Sequence, residues 1–174
     1  MLDAKEIFTH IEIKAGDKVA DLGCGRAGHF VIPAAHKVGS QGLVYAVDIL
    51  KSVLNSVAGT ARLEGVNNIK IVWSNLEVVG ATKIPAESLD SAFLINILFQ
   101  SRQHENIFKE AFRLLKKGGR LLVIDWAGGA SAFGPAIVDR IDFQEIKKIA
   151  GGLGLQLIDE FSAGTYHLGL VFKK

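Results

Sequence analysis

Residues 18–30, "KVADLGCGRAGHF", place three glycines between a run typical of a buried strand and one typical of a helix. Small residues at such a turn let the backbone come close to a ligand, and the free amides at a helix start favour acceptor or anionic groups. In a doubly wound sheet this turn lies at the carboxyl edge of the first strand, where ligands bind. The stretch therefore predicts an α/β fold and a ligand site together.

Strand and helix patterns alternate along most of the chain. Apolar runs predict strands at 18–22, 42–49, 69–74, 89–96 and 120–126. Helical periodicity predicts helices at 3–13, 29–39, 51–65 and 102–119. In the last of these, Leu114 and Leu115 fall on the apolar face and two glycines end the helix. The alternation predicts a parallel, doubly wound sheet with helices on both faces.

The end of the chain departs from this alternation. Two strand patterns, 155–161 and 166–174, are joined by "SAGT", which is short enough for a hairpin turn. A hairpin cannot join parallel strands, so the last strand must run antiparallel to the one before it. Residues 127–135, "AGGASAFGP", are predicted to form a mobile loop able to close over a bound substrate.

Length and composition limit the protein class. A chain of 174 residues, 49% apolar and 22% charged, is expected to form one globular domain over residues 1–174. Its apolar runs are broken well short of the roughly 20 residues needed to cross a bilayer. The charged N-terminal stretch has no apolar segment of the kind found in secretory signals or anchors. We therefore expect no membrane association.

Cysteine, charge and histidine patterns exclude further classes. With Cys24 as its one cysteine, the chain has no disulfide framework and no clustered thiolate site, so a cytoplasmic location is expected. A net charge of +2 is too small to indicate nucleic-acid binding. The densest basic cluster, 113–120, is interpreted as a helix C-terminus. No metal site is expected, because the five histidines have no metal-ligand spacing: His10, His29, His36, His104 and His167.

The glycine turn also fits a dinucleotide site. Gly23, Gly25 and Gly28 satisfy G-x-G-x-x-G, and Asp48 ends the second strand twenty residues beyond Gly28, where a carboxylate accepts from ribose hydroxyls. On this motif alone, a nicotinamide-dependent oxidoreductase is a natural interpretation. The motif by itself is a weak signal.

Four features oppose the dinucleotide interpretation. Asp21, two residues before the first glycine, suits a cationic or ammonium-bearing ligand. Asn75 and Leu76 follow the third strand, where an amide oxygen can accept from an exocyclic amine and a leucine can cover a ring. The terminal hairpin is not part of the usual dinucleotide sheet, and the chain has no Tyr-x-x-x-Lys pair.

Four segments carry a family resemblance. "VADLGCGRAG", "VYAVDI", "LDSAFLIN" and "LLKKGGRLLVIDW", in this order and spacing, resemble successive motifs of class I S-adenosylmethionine-dependent methyltransferases, closest to small-molecule enzymes similar to those of quinone biosynthesis. The resemblance runs from about residue 16 to the terminal hairpin. In that family a Rossmann-like, doubly wound sheet has seven strands, the last inserted antiparallel between the fifth and sixth. We therefore expect a seven-stranded mixed sheet.

The resemblance also implies which residues hold the cofactor, S-adenosylmethionine. They are Asp21, Gly23, Cys24, Gly25 and Ala27 at its methionine end, Asp48 at the ribose, Ile49, Asn75 and Leu76 at the adenine, and Asn96 beside the reactive centre. The chain departs from the family pattern twice. Ala27 stands where the family has its third glycine, and Asn75 replaces the more usual aspartate.

The implied activity is methyl transfer to a small, partly hydrophobic acceptor, with "INILF" at 95–99 as apolar walls. No catalytic base is assigned, because the cofactor's methyl group is already activated and alignment supplies most of the rate. Trp126 and His167 are the two side chains expected nearest to a substrate. Two alternatives stay open: a non-catalytic or partner-dependent binding subunit, and the NAD-dependent oxidoreductase. A small molecule is the expected partner, and a homodimer is one further expectation.

Overall fold

The computed structural model describes residues 2–127 and 134–174 of the chain. The helices are α1 (Ala4–His10), α2 (Val31–Val38), α3 (Lys51–Leu63), α4 (His104–Leu114) and α5 (Phe143–Gly152). The strands are β1 (Lys18–Leu22), β2 (Leu43–Asp48), β3 (Ile69–Trp73), β4 (Leu89–Ile95), β5 (Leu115–Trp126), β6 (Gln156–Ser162) and β7 (His167–Lys173). Short 3₁₀ turns lie at Leu98–Gln100 and Ile137–Asp139.

All these strands form one seven-stranded sheet in the order β3-β2-β1-β4-β5-β7-β6. Pairs from β3 through β5 are parallel, and β7 runs antiparallel to both β5 and β6. The predicted doubly wound mixed sheet, with its last strand inserted from a terminal hairpin, is therefore confirmed. Because β7 is reversed, the β6–β7 turn lies at the same edge as the carboxyl ends of β1–β5.

Each face of the sheet has its own apolar core, since alternate strand residues point to opposite faces. One core packs α4 and α5 against residues such as Leu94 and Leu121. The other packs α1, α2 and α3 against residues such as Ala46 and Phe93. Burial on both faces explains why these strands have continuously apolar sequences.

The boundary between α4 and β5 differs from the prediction. The helix ends at Leu114, and Leu115 begins β5, opposite Leu89 of β4. Lys116 forms an ion pair with Asp90, so its position is set by the sheet and not by a helix terminus. Tertiary pairing has overridden the helical pattern, and the interpretation of 113–120 as a helix C-terminus is wrong beyond Leu114.

One buried glutamate of α4 holds the connection between β3 and β4 against that helix by hydrogen bonds. Glu110 is fully buried, and its carboxylate accepts from the amides of Gly80 (2.7 Å) and Thr82 (2.9 Å) and from Arg113 (2.8 and 2.9 Å). Burial opposes ionisation, but Arg113 and the two amides outweigh it and lower the pKa of Glu110 to about 2. This network fixes the course of the segment that carries Asn75 at its start.

None of the described helices is long and apolar enough to cross a membrane. Most of the predicted mobile loop at 127–135 lies outside the described residues, which resume at Gly134.

Candidate functional site

A cavity of about 1020 Å³ opens at the carboxyl edge of the sheet. Ligand sites typically measure roughly 300–1,000 Å³, so the space suffices for a nucleoside-sized ligand and a second small molecule. The structure brings all the predicted site residues to this cavity. They are Asp21, Gly23, Cys24, Gly25, Ala27, Asp48, Ile49, Asn75, Leu76 and Asn96.

The glycine turn is tied to β2 by its backbone. The amides of Gly23 and Cys24 both donate to the Val47 carbonyl, at 2.8 and 3.0 Å. Gly23 has φ +92°, a conformation that residues with a side chain rarely adopt, so this position favours glycine; a Cβ atom there would also displace the end of the Ile97 side chain, 2.5 Å away. Gly25 and Gly28 supply the other left-handed conformations of the turn. Ala27 has no positive φ, which explains why alanine is accommodated there.

Asp48 ends β2 with its carboxylate held from two sides. Oδ2 accepts from the Gly25 amide at 3.3 Å, and Oδ1 accepts from the Leu50 amide at 2.9 Å. A carboxylate offers about four lone-pair positions, so both oxygens retain the capacity to accept from a further donor. The fixed orientation suits recognition of two neighbouring hydroxyls.

Asp21 is a buried carboxylate at the end of β1, with an exposed fraction of 2%. Burial, and then the negative charge of Asp48, raise its pKa to about 7. The same burial raises the pKa of the Cys24 thiol above its ordinary value, so this cysteine is not an activated nucleophile. A cationic ligand group beside Asp21 would favour its ionised form.

The rim beyond Asp48 is apolar. Ile49 and Leu50 are exposed by 51% and 57%, and Trp73 Nε1 donates to the Ile49 carbonyl at 2.8 Å. Leu76 is nearly buried on the cavity wall. Asn75 Oδ1 accepts from the Glu77 amide at 2.9 Å, so this side chain shapes the turn, with one acceptor position left on the oxygen.

Asn96 follows β4 in a left-handed conformation, with φ +54°. Its backbone amide donates to the Ile124 carbonyl at 2.8 Å, whereas the oxygen of its side-chain amide, Oδ1, is buried with no hydrogen-bond partner. Asp125, fully buried, accepts from the amides of Leu98 (3.0 Å) and Phe99 (3.3 Å), so it holds the 3₁₀ turn that follows Asn96. Burial, the largest cause, raises the pKa of Asp125 to about 6 despite these amide bonds.

Sequence reasoning missed several residues that line the cavity. Thr165 and Tyr166 come from the β6–β7 turn, and Leu2 precedes α1. The hairpin prediction carried a usable signal for the turn, because an antiparallel last strand returns the turn to the edge where the other strands end. Leu2 had no such signal.

Among residues 2–127 and 134–174, no cluster of three His, Cys, Asp or Glu side chains is arranged to hold a metal ion.

Comparisons with known proteins agree on one family. A family model described as "Methyltransferase domain" matches residues 13–148. Aklanonic acid methyltransferase DauC from Streptomyces sp. (strain C5) is 40% identical over 75 residues, which is 43% of this chain and 32% of that protein. A ubiquinone/menaquinone biosynthesis C-methyltransferase UbiE from Marinomonas sp. (strain MWYL1) is 29% identical over 133 residues, which is 76% of this chain and 51% of that protein. The chain thus spans a third to a half of these two relatives.

A solved structure shares the fold. The crystal structure of a SAM dependent methyltransferase from Aquifex aeolicus superposes with a TM-score of 0.89 at 22% identity. The match covers 99% of this chain and 89% of that one. At this identity the likeness extends to the arrangement of strands and helices.

Proposed function

Because the chain belongs to the class I S-adenosylmethionine-dependent methyltransferases, we propose that it transfers the methyl group of S-adenosylmethionine to a small, partly hydrophobic acceptor. The observation that carries this proposal is the meeting of the glycine turn, Asp21 and Asp48 at one cavity. In charge and hydrogen-bonding capacity, Asp21 and the glycine turn match the methionine end of the cofactor, and Asp48 matches its ribose.

The residues present fit the cofactor. Asp21, whose buried carboxylate is deprived of solvation, would face the positively charged methionine end, next to the turn at Gly23–Gly25. Asp48 would accept from the two ribose hydroxyls, and Ile49 and Leu76 would cover the adenine ring. These contacts bind and orient the cofactor, which supplies an already activated methyl group.

Apolar walls support the assignment of the acceptor. Ile95, Ile97 and Trp126 line the part of the cavity beside Asn96. Such walls bind an apolar skeleton and keep water from the reacting atoms, while the fixed cofactor contacts set the alignment. The names of the two relatives, an aklanonic acid methyltransferase and a C-methyltransferase of ubiquinone/menaquinone biosynthesis, agree with a small acceptor of partly hydrophobic character.

The activity is tested with S-adenosylmethionine labelled in its methyl group. We expect the label to pass to at least one organic acceptor in a panel of small phenols, quinols, amines and thiols. Cofactor binding without transfer to any member of the panel would favour the alternative of a non-catalytic or partner-dependent subunit.

Cofactor affinity is expected to fall about tenfold for each pH unit below 7, because binding then has to expel the proton of Asp21. Burial and Asp48 raise the pKa of this carboxyl from 3.8 to about 7. The stability that Asp21 contributes to the free protein is therefore full below pH 3.8 and lost as the pH rises through 7. Above pH 7, where Asp21 is ionised, the positive charge of a bound cofactor offsets this loss of stability.

Calorimetric titration from about pH 5 to about pH 9 measures this dependence. Asp21→Asn is the matched variant, since it cannot ionise and should give a flatter pH profile with weaker binding above pH 7. Wild-type affinity that stays constant across this range would contradict the assignment of Asp21.

We also propose that residues 1–174 form one cofactor-binding domain, which one continuous sheet supports. A cytoplasmic location and a homodimer remain predictions. Light scattering of the purified chain tests the second of these directly.

A further inference from the structure

Two buried side-chain polar atoms in the described part of the chain have no hydrogen-bond partner: Asn96 Oδ1 and His167 Nε2. Buried polar atoms are nearly always satisfied in folded proteins, so each such exception calls for an explanation. Both residues line the same cavity. Asn96 follows β4 and His167 begins β7, two strands away, which places their backbones about 10 Å apart at one edge of the sheet.

His167 is held against an aromatic wall. It lies opposite Trp126 in the β5–β7 pairing, and the two ring centroids are 4.3 Å apart with a tilt of 41°. Burial, and then nearby positive charge that includes Arg140, lower the pKa of His167 below its ordinary value. The imidazole is therefore neutral at neutral pH, and one of its ring nitrogens can take up a proton.

The charges around this wall favour an anion over a cation. The Arg140 guanidinium lies 5.9 Å from the Trp126 ring centroid and donates to the Ala127 carbonyl at 2.7 Å. The buried Asp125 carboxylate, which accepts from backbone amides including that of Trp126 at 2.8 Å, is not among the residues that line the cavity. The carboxylate of Glu77, elsewhere on the cavity wall, accepts from Ser101 at 2.6 Å. An oxyanion beside this wall would be attracted by the positive charge of Arg140, whereas an ammonium group would be repelled by it.

We propose that His167 is a catalytic residue that removes the proton from a hydroxyl group of the acceptor, and that the acceptor is accordingly a phenol or an enol. This inference rests on the proposed function and narrows its acceptor class. The planar skeleton of such a molecule would stack on Trp126, and its hydroxyl would reach Nε2, the ring nitrogen left without a partner.

The step balances with the groups named. The hydroxyl proton moves to His167 Nε2, and an electron pair of the acceptor oxygen forms a new bond to the methyl carbon. The bond from that carbon to sulfur breaks, and its electron pair remains on sulfur, giving a neutral thioether. The imidazolium then returns its proton to solvent. For an enol, the same proton transfer can direct the new bond to the conjugated carbon.

The test uses the full chain saturated with S-adenosylhomocysteine, which lacks a transferable methyl group, and 4-nitrophenol as the acceptor probe. The phenolate of this probe absorbs visible light, so its ionisation is read without turnover. In the wild-type protein we expect the pKa of the bound probe to fall by about one unit, a tenfold change in its ionisation ratio. His167→Gln should abolish the shift while leaving S-adenosylhomocysteine affinity unchanged.

The matched control is His36→Gln on α2, because this exposed histidine lies outside the cavity and its loss should preserve the shift. His167→Asn provides a second variant if the glutamine form does not fold. S-adenosylhomocysteine binding without a probe shift, or with an equal shift in the His167 variants, would overturn this inference alone. Failure of S-adenosylhomocysteine to bind would overturn the proposed function and this inference with it.

Discussion

Replacing Asp48 with alanine is expected to weaken S-adenosylmethionine binding by about 1–3 kcal/mol, or roughly 5- to 150-fold in Kd. The carboxylate is held by the amides of Gly25 and Leu50, and we propose that it accepts from the two ribose hydroxyls. Hydrogen bonds to an ionised acceptor are about twice as strong as neutral ones, so their loss has a large effect. Calorimetric titration of the variant measures the change.

Two further variants separate the effect of the Asp48 charge from that of its hydrogen bonds and from a general effect of removing a carboxylate. Asp48→Asn keeps an acceptor oxygen and loses the charge, so its Kd should lie between those of the wild type and the alanine variant. Glu105→Ala removes an exposed carboxylate on α4, outside the cavity, and should leave Kd unchanged. Wild-type affinity in a folded Asp48→Ala protein would show that Asp48 does not bind the cofactor.

The variant Glu110→Ala is expected to lower the free energy of unfolding by about 3 kcal/mol at neutral pH. It removes the fully buried acceptor of the Gly80 and Thr82 amides and leaves the Arg113 guanidinium without its carboxylate. Arg113 is 27% exposed, so water replaces part of the interaction that its guanidinium loses. The expected loss of stability is therefore at the lower end of the range for a broken buried ion pair. Urea denaturation followed by circular dichroism gives the value.

The same helix supplies the control. Glu105 forms an exposed ion pair with Lys109 at 2.7 Å, and Glu105→Ala should cost less than about 0.5 kcal/mol. Because the pKa of Glu110 is lowered to about 2 from 4.5, its contribution is present above pH 4.5 and lost as the pH falls toward 2. Equal stabilities of the two variants at neutral pH would contradict the structural role given to Glu110.

The glycine turn and its carboxylates could be located from sequence because their positions follow from local rules. Asp21 and Asp48 end apolar runs, and parallel strands end at one edge of a sheet, so spacing alone predicts their meeting. The hairpin at the end of the chain could be predicted for a similar reason, since a turn of four residues permits only an antiparallel pair.

Other features depend on tertiary contacts that no local pattern records. Glu110 belongs to a helix rich in charged residues, and nothing in its spacing distinguishes it from exposed Glu105; only the packing of the β3–β4 connection buries it. Leu115 continues the apolar face of α4 in sequence, but pairing with Leu89 places it in β5. The contact between Trp126 and His167 arises from the register of β5 with β7, which strand patterns leave undetermined.

Thermal unfolding with S-adenosylmethionine, S-adenosylhomocysteine or NAD tests most directly whether the cavity is a methyltransferase cofactor site. A ligand present at about 100 times its Kd stabilises a protein by roughly 2.7 kcal/mol, which for a chain of this size raises Tm by about 5–10 °C. We predict such a rise with S-adenosylmethionine and S-adenosylhomocysteine and none with NAD. Stabilisation by NAD alone would contradict the assignment of the cavity as a site for S-adenosylmethionine.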